Sequence, residues 1–193
     1  MVSRRRSPAL SGRYHGLLYV VLGQVGWFTC VLSAAKGDAW IGVALVAAMA
    51  AGHLRLVRRP LREAGFLIVV TVLGFGWESF VFRTGWIAYP NGVIVRGYAP
   101  YWMAGLWALF ALQVNPVFSS LRHRRVLCAL LGAVGGPLSF RAGSALGAVE
   151  FIDIWRTYAL IGAGWAVMLA GLIELGAAIG SGPPASSDTK KPR

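Results

Sequence analysis

Apolar residues fall into six long runs separated by short polar gaps: Gly16 to Ala35, Ala39 to Val57, Ala64 to Phe82, Pro100 to Phe118, Val126 to Val149 and Ile154 to Ile179. A hydrocarbon core needs roughly 20 helical residues to cross it, and each run meets or approaches that length. The pattern predicts an all-α protein, a six-helix transmembrane bundle formed as one domain by residues 1–180. The remaining segment, 181–193, is rich in Ser, Pro and Lys and reads as a disordered cytoplasmic tail. The first run has a rival explanation, since a basic start and Ser33-Ala34-Ala35 before Lys36 look like a cleavable export signal. The apolar core of such a signal is about 7 to 15 residues. Leu17 to Leu32 is sixteen residues long, with Gln24 and Thr29 its strongly polar members, so retention as a span is expected.

Basic residues fill alternate gaps. Arg4, Arg5, Arg6 and Arg13 precede the first run, Arg55, Arg58, Arg59 and Arg62 follow the second, Arg122, Arg124 and Arg125 the fourth, and Lys190, Lys191 and Arg193 the sixth. These are fourteen of nineteen Lys and Arg residues; Lys36, Arg83, Arg96, Arg141 and Arg156 are the five on the other side. Short cytoplasmic loops carry the excess of positive charge, which places both termini in the cytoplasm of a bacterial inner membrane. Aromatic residues agree: Trp40, Trp86, Tyr89, Tyr98, Tyr101, Trp102 and Trp155 gather at the outer ends, as in an interfacial belt. The stretch from Arg83 to Ala99 is the extended outer loop, turning at Pro90-Asn91-Gly92.

Composition removes rivals. With 56% hydrophobic and 13% charged residues, the chain is too apolar for an ordinary soluble domain, where charged residues approach a quarter. A net charge of +12 would suit nucleic acid on a soluble basic face. Here the charges sit in short loops beside spans, so the expected partners are membrane lipids, at about 1 kcal/mol per basic residue near an anionic surface, and not nucleic acid. Cys30 and Cys128 lie at opposite depths, which argues against a disulfide.

A charged group within a span costs about 2.5–3.5 kcal/mol unless it faces protein or water, so each is a functional candidate. Glu78, in Gly76-Trp77-Glu78-Ser79, lies about one turn from the outer end of the third run. Arg141 lies at a similar depth on the fifth, so an ion pair between them is geometrically allowed, and a structural clamp is its plain reading. A weaker polar layer lies toward the cytoplasm: Gln24, Gln113 and Asn115, with His53 and Glu174 near inner ends. Amides in spans act more often as interhelical glue than as ligand contacts. Within the fifth run, Pro137 lacks a backbone donor and follows Gly135 and Gly136, which predicts a kink or break there. A helix restarting near Ser139 would aim its positive end beside Arg141 and favour an anionic group. The plain alternative is close packing, because Gly132 and Gly136, like Gly143 and Gly147, have small-xxx-small spacing.

No motif names a reaction. His15, His53 and His123 are scattered without H-x-x-x-H spacing, and phosphate-cradling and nucleophile-elbow motifs are absent. No metal or cofactor is expected. The run Gly135-Gly136-Pro137-Leu138-Ser139-Phe140-Arg141-Ala142-Gly143-Ser144-Ala145-Leu146-Gly147-Ala148 resembles the G-G-P-L-[AS]-[YF]-x-A-G-x-x-L-G-A signature of a bacterial multi-pass inner-membrane family catalogued as a domain of unknown function. Pro100 to Ala111 is similar to its P-x-W-x-x-x-L-W-x-x-F-A segment, and Trp27 with Cys30 to its W-x-x-C start. The resemblance places the family's third-span acidic position on Glu78 and implies a membrane fold without implying an activity.

The expectation for function is a site for a small anionic amphiphile or lipid, open toward the outer half of the bilayer. Glu78 and Arg141 would orient the head, Ser139 would hydrogen-bond it, and Trp77, Trp102 and Trp107 would flank its apolar body. An enzyme would use Glu78 as general acid or base. The alternatives are a structural subunit that docks another membrane protein through glycine-lined fifth and sixth helices, and a small transporter, against which stands the lack of an internal repeat.

Overall fold

The computed structural model describes residues 8–179, with side chains from 16 onward; Arg4, Arg5, Arg6 and the 181–193 tail lie outside the described residues. Six helices follow in order: α1 Pro8–Ala35, α2 Trp40–Leu56, α3 Pro60–Arg83, α4 Tyr101–Phe118, α5 Arg125–Ala145 and α6 Ile154–Ile179. Five of them are long and apolar enough to cross a membrane. The shorter α2 has 17 residues, at the lower limit of the spanning range. Large apolar side chains stand exposed around the outside, among them Ile68, Val72, Leu130, Val134, Leu138 and Val167. A water-soluble bundle would not tolerate such a surface, and together with the helix lengths it makes this a multi-pass membrane protein.

Local chemistry sets the ends. Pro60 opens α3 at its first position, where a missing N–H costs nothing. Gly147, at φ 85°, closes α5: its N–H reaches Ser144 O at 3.0 Å and the Ala148 N–H reaches Gly143 O at 3.0 Å. This paired closure needs a left-handed residue, which glycine supplies without a β-carbon clash. Gly147 therefore terminates the helix and is no packing glycine, and the fifth helix stops four residues short of the apolar run's end at Val149.

α4 is the central helix, contacting α1, α2, α3 and α6, while α5 leans almost entirely on α6. The half of the core nearer the α3–α4 loop gathers Val31, Val81, Ile87, Tyr89, Trp102 and Ile161, and the half nearer the α2–α3 turn Phe66, Val70, Trp107, Leu112 and Ile173. Two short strands, β1 Ile87–Ala88 and β2 Glu150–Phe151, pair antiparallel and tie the α3–α4 connection to the α5–α6 connection. Thr157 Oγ1 reinforces that tie by donating to Trp86 O at 3.0 Å.

Of the two outcomes foreseen for the fifth helix, the break is excluded. α5 runs unbroken through Pro137, so no second helix N-terminus forms beside Arg141. The proline is accommodated because α6 presents Gly162 there: a β-carbon on Gly162 would stand 3.0 Å from Ala133 O and 3.5 Å from Pro137 Cγ. Ala133 O is the carbonyl that residue 137 would ordinarily bond, and the closely packed neighbouring helix covers it.

Candidate functional site

A cavity of about 450 Å³ opens inside the bundle. Gly23, Gln24, Trp27 and Val31 of α1 form one wall, and Gly136, Ser139, Phe140 and Gly143 of α5 the facing one. The floor is α4, whose lining residues run from Trp102 to Phe118, about 24 Å at 1.5 Å per residue. Glu78 of α3 and Trp165 of α6 complete it. The space exists because α1 packs on α2 and α4 while α5 packs on α6, leaving a seam between the two. Trp27 bridges that seam, its indole N–H donating to Ser139 Oγ at 3.2 Å.

The seam faces the membrane. Gln24 and Gly135 line the cavity and are also exposed on the outside of the bundle. Val25 and Phe28 on α1, with Leu131 and Leu138 on α5, are exposed beside them. The end beside the α3–α4 loop is roofed instead. In the loop between α3 and α4, Ile87, Tyr89 and Ala99 are buried. Asn91 Nδ2 donates to Ala34 O at 3.1 Å, Trp102 Nε1 to Asn91 O at 3.2 Å, and the Ala99 N–H to Ser79 Oγ at 3.1 Å. The loop is thereby fastened over the outer ends of α1, α3 and α4. Two residues expected in the aromatic belt, Tyr89 and Trp102, thus belong to the core, while Trp40 and Trp155 are exposed at 62% and 77%.

Glu78 is 1% exposed and is the one formally charged side chain on the cavity wall among the described residues. The Trp107 side chain lies within hydrogen-bonding reach of it, and its Oε2 has no partner. The Tyr89 hydroxyl is likewise buried without a partner. Burial, and then the nearby Glu78 carboxyl, push the Tyr89 phenol well above its ordinary range, so it keeps its proton. Tyr89 packs edge-on to Trp102 with centroids 5.8 Å apart, and Trp107 stacks on Trp165 at 4.8 Å. Gln113, whose amide donates to Leu109 O at 3.4 Å, lies against Gly23 in the inner part.

Of the residues singled out in the sequence, the cavity brings together Glu78, Ser139, Trp102, Trp107, Gln24 and Gln113. Three lie elsewhere. Arg141 is exposed, and at 3.6 residues per turn it falls on the side of α5 opposite Gly136, Ser139 and Gly143. Among the described residues no ion pair joins it to Glu78, so the pairing allowed by depth is not made. Arg141 lies about one turn from the end of α5 and can snorkel to the interface there. Trp77 packs over Gly164 of α6. Asn115 accepts from Arg122 Nη2 at 2.9 Å on the inner side.

Of a second polar cluster the sequence marked only His53, not its partners. His53, buried on α2, has Nδ1 at 2.5 Å from the Tyr19 hydroxyl of α1 and Nε2 at 3.3 Å from Glu63 Oε1 of α3. It ties three helices at their inner ends. Trp27 and Trp165 were also unforeseen in the cavity; only the i, i+3 spacing of Gln24 and Trp27 hinted at a shared face.

The model of a family described as a protein of unknown function (DUF2878) matches residues 17–171, and the chain belongs to that family. No curated protein and no solved structure matches it.

Proposed function

We propose that this chain binds an amphiphile that enters sideways from the bilayer through the seam between α1 and α5, in a bacterial inner membrane with both termini cytoplasmic. The observation that carries the reading is the cavity itself. Its volume falls within the 300–1,000 Å³ usual for small-molecule sites, with a mainly apolar wall and a few convergent polar groups. At roughly 30 Å³ for a group the size of a water molecule, it holds about fifteen such groups. Its length along α4 suits a chain lying parallel to the helices. The fourteen-to-five charge asymmetry supports the orientation.

An anionic head loses its support, since Arg141 turns away and no basic side chain takes its place on the wall. A reaction also lacks support: Ser139 is engaged by Trp27, and the wall offers no base beside it. The structural-subunit alternative is weakened because most of its glycines are used internally, Gly135 and Gly171 being the open ones. Gly132, Gly136 and Gly162 make the α5–α6 contact, and Gly164 and Gly176 receive Trp77 and Val114.

Lipid extraction and mass spectrometry of the purified protein tests the reading. The wild type should retain a stoichiometric amphiphile, and Gly135→Trp, which fills the mouth from a position with open space around it, should lose it. Identical, nonspecific lipid profiles from both proteins would overturn it.

A further inference from the structure

We infer that the amphiphile is cationic, with an ammonium head held at the Glu78 carboxyl, beside Trp102 and Trp107, and a single chain running along α4 toward Phe118. The inference rests on the lateral-entry reading above and adds the class of ligand. Glu78 has a buried, unpartnered oxygen on the cavity wall, and among the described residues no Lys, Arg or His lines that wall. The other charges at its depth are occupied or averted. Arg83 donates through Nε to Gly97 O at 2.8 Å and lies 5.3 Å from the Tyr98 ring, while Arg141 faces outward. The cavity is thus complementary to one positive charge and opposes a negative one.

The aromatic residues sharpen the assignment. Trp102 and Trp107 both line the cavity, and Trp107 lies within reach of Glu78 itself. With Trp107 itself stacked on Trp165, the indoles give the acid an apolar surround in which opposite charges attract more strongly than in water. The roof formed by Tyr89 and its loop keeps water from the outer side off this end, which strengthens attraction between opposite charges there.

The test uses the full-length protein in phosphatidylcholine nanodiscs, with empty nanodiscs as the partition control. Binding of dodecyltrimethylammonium, dodecanol and dodecanoate is followed by tryptophan fluorescence. The wild type should bind the cation at least about tenfold more tightly than the alcohol, with dodecanoate weakest. Glu78→Gln should abolish the preference, bringing the cation to the level of the alcohol in the same variant. Alcohol binding equal to the cation's, or dodecanoate binding tightest, would overturn the cationic head while leaving the cavity reading standing. Binding of all three that Gly135→Trp does not diminish, or binding of none, would remove the cavity reading and this inference with it. Should Glu78→Gln fail to fold, the wild-type order of the three probes decides.

Discussion

Gly132→Ala is expected to destabilise the bundle although it adds a single methyl group to a helix. A β-carbon at Gly132 would overlap the Trp165 carbonyl oxygen and stand 3.1 Å from Ala166 N, so what must yield is the α6 backbone and not a flexible side chain. Overpacking of this kind costs about 1–3 kcal/mol. Against it stands the gain of about 0.5–1 kcal/mol from replacing a helical glycine by alanine. Gly171→Ala supplies the internal control: it makes the same substitution on α6 with nothing within 4 Å. The propensity gain cancels between the two variants, so their difference isolates the steric cost. At roughly 2–4 °C per kcal/mol for a chain of this size, a 2 kcal/mol difference separates their melting temperatures by about 4–8 °C. Thermal unfolding in detergent, read by tryptophan fluorescence, reports directly, since Trp165 stacks on Trp107 with an interplanar angle of 17°. A Gly132→Ala variant that melts with or above Gly171→Ala would refute the close α5–α6 approach, and with it the placement of the α5 wall of the cavity.

Reporter fusions after residues 37, 95 and 152 should read as external and those after 60, 123 and 190 as cytoplasmic; a cytoplasmic signal at 95 would reverse the topology. His53→Ala and Glu63→Gln, combined in a double-mutant cycle, should show coupling of about 0.5–3 kcal/mol, because the two side chains share one buried contact. Strict additivity in equilibrium unfolding would mean the tie contributes nothing. Arg141→Met should change stability by less than about 0.5 kcal/mol and add independently to Glu78→Gln. Recovery of a destabilised Glu78→Gln protein on adding Arg141→Met would restore the clamp between them.

The helices were legible because membrane burial imposes a demand that a single sequence can display: a run of apolar residues of the right length. Their ends were less so. The apolar run of the fifth span continues to Val149, but Gly147 ends the helix earlier through its left-handed backbone. Apolarity does not distinguish a helix from the buried connection after it, and Ala148 and Val149 are buried in that connection. The aromatic belt misled for a similar reason. Trp102 and Tyr89 stand at the right depth for an interface, yet the outer loop folds back over them, held by Asn91 and Ser79 through hydrogen bonds that span 57 and 20 positions of sequence.

The site divides along the same line between depth and direction. Counting residues gave the depth of Glu78 and Arg141 and made a pair between them plausible. Direction around the helix required one more step that the sequence already held, since Arg141 is out of phase with Ser139 and Gly143 on the same helix. Which faces of different helices meet is harder still. Trp27 and Ser139 are separated by 112 positions, and nothing in either neighbourhood marks them as partners. The cavity itself depends on an omission, the weak packing of α1 against α5, and an omission leaves no residue pattern to read. What the sequence did carry was Glu78: a charge that remains inside a span must be compensated by protein, by water or by a ligand. With Arg141 averted and no basic side chain on the wall among the described residues, a bound cation becomes the simplest compensation for the charged form of Glu78.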